Sequence, residues 1–171
     1  MKKENQLPQR NHPRLKNYDY SAPGAYYVTI CTHNRHCLLS RIVGRGLAPA
    51  ETEEVVYSHW GKIAEKQLKS LEKRYSYVKI DRYVIMPNHI HTVIILTAEA
   101  AGASPRPTLM DIMCVYKSLT TRECKANGFS GKLFQTSFYE HIIRGRKEYE
   151  QIINYIYENP LRWIYDELYS E

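Results

Sequence analysis

Two strand-like apolar runs meet at a single proline, and this junction constrains the fold more than any other stretch of the chain. Residues 77–86 and 88–96 are rich in Val, Ile and Tyr, and only Pro87 separates them. Such runs read as two strands joined by a tight turn. Helical patterns stand on both sides. Residues from about Thr52 to Arg74 carry a rough apolar face of Val55, Val56, His59, Ile63, Leu68 and Leu71. Residues 109–125 read as a second helix, closed by Asn127-Gly128. A third spans 146–159 and is stopped by Pro160. Strands are expected at 24–31 and 134–143, with a short one at 36–43. Residues 44–50, with two glycines and a proline, read as a loop, as do 98–107. A strand pair flanked by helices, with further strands outside them, predicts an α+β ferredoxin-like sandwich: an antiparallel sheet with helices packed on it.

The chain's 171 residues suit one domain of 21–171 preceded by a basic arm of 1–20 that includes Lys2, Lys3, Arg10, His12, Arg14 and Lys16. No apolar run reaches the ~20 residues of a membrane span, and the N-terminus has no apolar core of a secretory signal. The expectation is a cytoplasmic protein with no membrane partner. The four cysteines lack metal-knuckle spacing and are expected as free thiols. A net charge of +6 favours a polyanionic partner, and nucleic acid is the commonest.

Within the second strand of the junction, His89 and His91 share one face while Ile90 takes the other. Two imidazoles so placed can chelate one divalent cation and leave coordination positions open for a phosphate oxygen. They could equally be two polar residues on an open sheet face. In the last helix, Tyr149, Ile152, Ile153 and Ile156 form a buried stripe at about 100° per residue. Tyr155 and Asn159 stack one turn apart on one border of that stripe, and Tyr157 lies on the other border. The phenol could be a nucleophile and the amide a third metal ligand; a tyrosine beside the core and a helix-capping asparagine are the alternative.

Several segments, taken in order, resemble a known family. They are Arg14-Leu15-Lys16-Asn17-Tyr18-Asp19-Tyr20, Gly24-Ala25-Tyr26-Tyr27-Val28-Thr29-Ile30, Met86-Pro87-Asn88-His89-Ile90-His91, Lys117-Ser118-Leu119-Thr120, Phe134-Gln135-Thr136-Ser137-Phe138-Tyr139-Glu140-His141-Ile142-Ile143-Arg144 and Tyr155-Ile156-Tyr157-Glu158-Asn159-Pro160. The pattern is similar to that of the single-tyrosine HUH transposases, and most of all to the REP-associated tyrosine transposases. The resemblance implies that His89 and His91 bind Mg2+ or Mn2+, that Asn159 completes the metal site, and that Tyr155 is the nucleophile. It implies cleavage and rejoining of single-stranded or hairpin DNA, at repetitive elements, through a 5′-phosphotyrosine, by a monomer or homodimer in a bacterial, nucleoid-associated setting. Lys117, Arg122 and Lys125 in the second helix, and Arg144, Arg146 and Lys147 at the start of the third, are candidates for holding DNA. Cations at a helix start oppose its dipole, so helix stability does not account for the latter three. His141 could be a general base, but a structural histidine fits its strand better. A related replication nickase and a non-catalytic, base-stacking ferredoxin-like module are the competing assignments.

Overall fold

A computed structural model describes residues 14–43, 54–98 and 106–169. The strands are β1 (Gly24–Cys31), β2 (Ser40–Val43), β3 (Glu54–Tyr57), β4 (Val78–Ile85), β5 (His89–Leu96) and β6 (Tyr139–Ile143). The helices are α1 (His59–Arg74), α2 (Leu109–Ala126) and α3 (Arg146–Glu158), the last followed by a 3-10 helix over Pro160–Tyr165. The main sheet is fully antiparallel in the order β4-β5-β1-β6. Setting aside the β2–β3 hairpin, the chain runs β-α-β-β-α-β, which is the ferredoxin-like arrangement.

Alternation along the strands assigns each face. Tyr26, Val28 and Ile30 of β1 and Ile90, Ile94 and Leu96 of β5 are buried against Ile63, Leu68 and Leu71 of α1 and Leu109, Ile112, Met113 and Tyr116 of α2. This is the large core. The opposite face carries a smaller cluster in which Val84 and Val93 pack with Ile156 of α3 and with Trp163. β4 contributes to both faces correctly because of a bulge between Ile80 and Arg82. Asp81 is the extra residue there, and its carboxylate accepts from the Tyr149 phenol at 2.5 Å.

Helix ends follow their caps. Ser58 Oγ accepts from the Gly61 N–H and donates to the Leu38 carbonyl, which starts α1. Thr108 and Asp111 form a capping box at the start of α2. Gly128, at φ +98°, closes that helix in the left-handed region.

Three expected boundaries are corrected. The first helix begins at His59 and not near Thr52, because Glu54–Tyr57 instead pair with Ser40–Val43 as a hairpin. Two adjacent β-branched residues, Val55 and Val56, favour that pairing, and Ser58 supplies the cap. Thr52 itself lies outside the described residues. The strand expected from 134 regularises only at Tyr139; Phe134 makes a lone bridge to Thr32. The Lys117 ammonium explains the interruption, for it takes the carbonyls of Gln135 and Thr136, at 2.5 and 2.7 Å. The short strand expected from His36 begins at Ser40, after a 3-10 turn over His33–Arg35. The arm residues Lys2, Lys3, Arg10 and His12 and the loop at 44–50 lie outside the described residues, as does most of the loop at 98–107. From Arg14 the chain is anchored: Tyr20 joins the large core and donates to Glu140 at 2.9 Å. No disulfide joins any of the four cysteines. Among the described residues, no helix is long and apolar enough to cross a membrane.

Candidate nucleophile and metal site

β5 places His89 and His91 on the α3 side of the sheet, where they are 0% and 2% exposed with ring centroids 4.4 Å apart. Each ring is held through Nδ1. Asn88 Nδ2 donates to the Leu168 carbonyl at 2.7 Å, so its amide oxygen is the atom that faces His89 Nδ1, at 2.8 Å. An amide oxygen only accepts, so His89 carries its proton on Nδ1 and its lone pair on Nε2. His91 Nδ1 lies 2.8 Å from Thr29 Oγ1 and 2.7 Å from the Tyr27 phenol. Both Nε2 atoms are buried and have no hydrogen-bond partner, and the same holds for Asn159 Oδ1. Burying such polar atoms without a partner is costly. A bound cation removes that cost, and outer-shell bonds to Nδ1 are the usual support for a ligating imidazole. The donor set therefore fits a divalent metal.

Burial pushes the His89 pKa down to about 4, although the nearby Asp166 carboxylate partly opposes the shift. Burial also drives His91 well below its ordinary value, helped by repulsion from His89. Both rings are therefore neutral near pH 7, the form that can ligate.

The last helix brings Tyr155 to the same place. Its ring centroid is 5.3 Å from that of His91 and 6.4 Å from that of Tyr27. Tyr155 is 45% exposed and opens onto a cleft of about 640 Å3, whereas Tyr157 is 81% exposed and does not line it. Asn159 is the C-cap of α3, buried one turn beyond Tyr155. One chain supplies every one of these groups.

A residue that sequence reasoning passed over completes the cluster. Asp166 Oδ2 accepts from Asn159 Nδ2 at 2.7 Å and from the Tyr155 hydroxyl at 3.2 Å. Its Oδ1 accepts from the Leu168 N–H at 2.6 Å. A nitrogen of His89, a nitrogen of His91 and a carboxylate oxygen of Asp166 lie within 4.8 Å of one another. Burial, followed by the Asp166 charge, pushes the Tyr155 pKa up to about 12.

No family model matches the chain. An uncharacterized protein of Haemophilus influenzae is 31% identical over 177 residues, covering 95% of this chain and 94% of its own. This chain belongs to the family of that protein. Its fold is that of a REP-associated tyrosine transposase, solved bound to a REP hairpin, which aligns over 87% of this chain and 73% of its own with a TM-score of 0.61 at 18% identity. A candidate transposase of Deinococcus radiodurans R1 aligns over 85% of this chain and 95% of its own, with a TM-score of 0.49 and 15% identity.

The six further cations expected to hold DNA separate into two groups. Lys117, Arg122 and Lys125 line a second groove, beside the tyrosine cleft. Lys117 is half-buried there, with its ammonium on two carbonyls, and burial lowers its pKa. Arg144, Arg146 and Lys147 do not line the tyrosine cleft. Arg146 pairs with Glu150 at 2.8 Å, and Glu148, in the first turn of α3, accepts from the Arg144 N–H. Glu148 therefore offsets the unfavourable cations at that helix start. His141 bonds Glu148 at 2.6 Å and also lies outside the cleft.

Asp166 was hard to see because Pro160 ends the α-helix. A continuous helix would carry residue 166 three turns away from Tyr155, ~16 Å along the axis. The 3-10 helix over Pro160–Tyr165 instead returns the chain. A proline directly after Asn159 was the available signal that the path changes.

Proposed function

We propose that this protein cleaves and rejoins single-stranded DNA by transesterification, with Tyr155 as nucleophile and a divalent cation, Mg2+ or Mn2+, as cofactor. One observation carries the proposal: two buried, unpartnered imidazole nitrogens and a solvent-reaching phenol converge on one face of the sheet, with Asp166 between them. The ferredoxin-like fold held in common with a transposase bound to a REP hairpin supports it, and by analogy makes hairpin-forming repeats the preferred DNA. The setting consistent with such a substrate is the bacterial cytoplasm, at the nucleoid.

His89, His91 and Asp166 would hold the cation, with Asn159 Oδ1 as a further donor. When bound, the cation polarises the scissile phosphate and balances its developing charge. The residues of the chain do the rest. Asn88 fixes His89 in the Nδ1–H tautomer, and Thr29 and Tyr27 orient His91. Asp166 Oδ2 holds the Tyr155 hydroxyl and is the nearest acceptor for its proton. The phenol oxygen forms a bond to phosphorus, the 3′ oxygen leaves and takes up a proton, and the products are a 5′-phosphotyrosine and a free 3′-OH. Attack by that hydroxyl, or by another, reverses the step and joins strands. The phosphodiester bond energy is kept in the adduct, so no nucleotide triphosphate is needed. The cluster sits within one chain, so the step can occur in cis.

The test is to incubate labelled hairpin DNA bearing unpaired flanks with the protein and Mn2+, then run a denaturing gel. A covalent protein–DNA band is expected with the wild type, and none with Tyr155→Phe or with His89→Gln/His91→Gln. An adduct that persists in Tyr155→Phe removes Tyr155 as nucleophile. Strand binding with no adduct on any DNA favours a non-catalytic module.

A further inference from the structure

The tyrosine cleft is poorly equipped to attract a nucleic-acid backbone. Its lining contains one full cation, Arg35, against two carboxylates, Asp166 and Glu167. The attraction that draws a polyanion has to come from elsewhere. Next to the cleft lies a second groove of about 710 Å3, between α2 and the irregular segment 132–138. Gln135 and Phe138 line both depressions, so the two adjoin. The groove collects Arg14, Lys117, Arg122, Lys125 and Lys132 over a floor that includes Met110, Leu133 and Phe134, and among the described residues no carboxylate lines it.

Arg14 faces the Glu140 carboxylate at 3.9 Å, but the charge that α2 brings is uncompensated for a structural reason. α2 contains two acidic residues, and both are engaged elsewhere. Asp111 closes the capping box with Thr108. Glu123 turns toward α1, where it takes Lys66 at 2.6 Å and also the Gln67 amide. Neither Arg122 nor Lys125 is paired with a carboxylate among the described residues. Lys117 holds the ridge between the two depressions by its bonds to the Gln135 and Thr136 carbonyls.

We infer that this groove binds the unpaired DNA strand adjoining the scissile phosphate, with Arg122, Lys125 and Lys132 on the phosphates and Lys117 shaping the ridge that the strand crosses. The inference rests on the proposed nuclease function and specifies where its substrate runs. A single strand suits the site because the path must continue into the narrow cleft where Tyr155 sits.

Cys114 gives a built-in reporter. It is exposed and lines the groove, whereas Cys37 is exposed outside it. In the wild-type protein, an oligothymidylate of about 15 nucleotides should slow alkylation of Cys114 by N-ethylmaleimide and leave Cys37 unchanged. Equal rates at Cys114 with and without the oligonucleotide would overturn the inference. A second arm uses Arg122→Gln/Lys125→Gln/Lys132→Gln. Fluorescence anisotropy should show oligothymidylate affinity falling at least about tenfold near physiological salt. The slope of log affinity against log salt should shrink by about 2, since each single-strand phosphate contact contributes ~0.7. Mn2+ affinity should not change. An unaltered salt slope, or an equal loss for a blunt duplex of the same length, would refute the assignment. The two proposals fail separately. Protection of Cys114 without any covalent adduct keeps the groove and removes the nuclease function; an adduct formed equally well by the triple variant keeps the nuclease and removes the groove.

Discussion

At the scale of single residues, Asp166 has the most to do. Its carboxylate touches the phenol and the Asn159 amide and lies within reach of both imidazoles. Asp166→Asn preserves its shape and removes its charge. Mn2+ affinity, measured by isothermal titration, should fall at least about tenfold. The Tyr155 phenol should ionise at lower pH, read as tyrosinate absorbance against a Tyr155→Phe control, because one of its upward causes is gone. A second prediction concerns acid. His89 titrates near 4 when folded and near 6.5 when exposed. Between those values the unfolded chain binds the extra proton, so stability rises with pH across that window. It is complete above pH 6.5 and is lost as pH falls toward 4. Thermal melts of chelator-treated protein should show this decline, and the His89→Gln variant should reduce it, leaving the part that the buried His91 contributes in the same direction.

At the scale of elements, α1 lies close against the segment before β2. A Cβ on Gly61 would sit 2.0 Å from the Leu39 carbonyl oxygen, which is backbone and cannot give way. Gly61→Ala should therefore cost about 1–3 kcal/mol despite its better helix propensity, measured by denaturant unfolding. This contact was invisible in the sequence, since a glycine one turn into a helix reads only as a weak position. What was legible had local causes. Alternation at residues 24–31 placed β1, the run after Pro87 placed β5, and i, i+2 spacing put His89 and His91 on one face. What was not legible depended on distant partners. Val55 and Val56 form a strand only because Ser40–Val43 is there to pair, and the segment 135–138 leaves the ladder where Lys117 takes the carbonyls of Gln135 and Thr136. Asp166 joins the site only through the reversal after Pro160. Asn88, read merely as part of a motif, sets the His89 tautomer through a bond to Leu168 that no local pattern encodes.

At the scale of the molecule, the sheet separates tasks. One face builds the large core with α1 and α2, and the other carries the imidazole pair, covered by α3 with its Tyr155. Metal binding should therefore stabilise the whole fold by relieving the orphaned Nε2 atoms. At a concentration of Mn2+ a hundredfold above its dissociation constant, the gain should be about 2.7 kcal/mol, seen as a higher melting temperature. His91→Gln should lose most of that gain. A wild-type melt indifferent to Mn2+, Mg2+ and chelator would remove the metal site.

The fastening of residues 166–169 to Asn88 and Arg35 has a bearing on biosynthesis. The imidazole pair is translated long before the phenol helix and its closing carboxylate. A nascent chain can thus pair β1 with β5 while the phenol helix and its closing carboxylate are still missing, so the cluster is completed only after the sheet has begun to form.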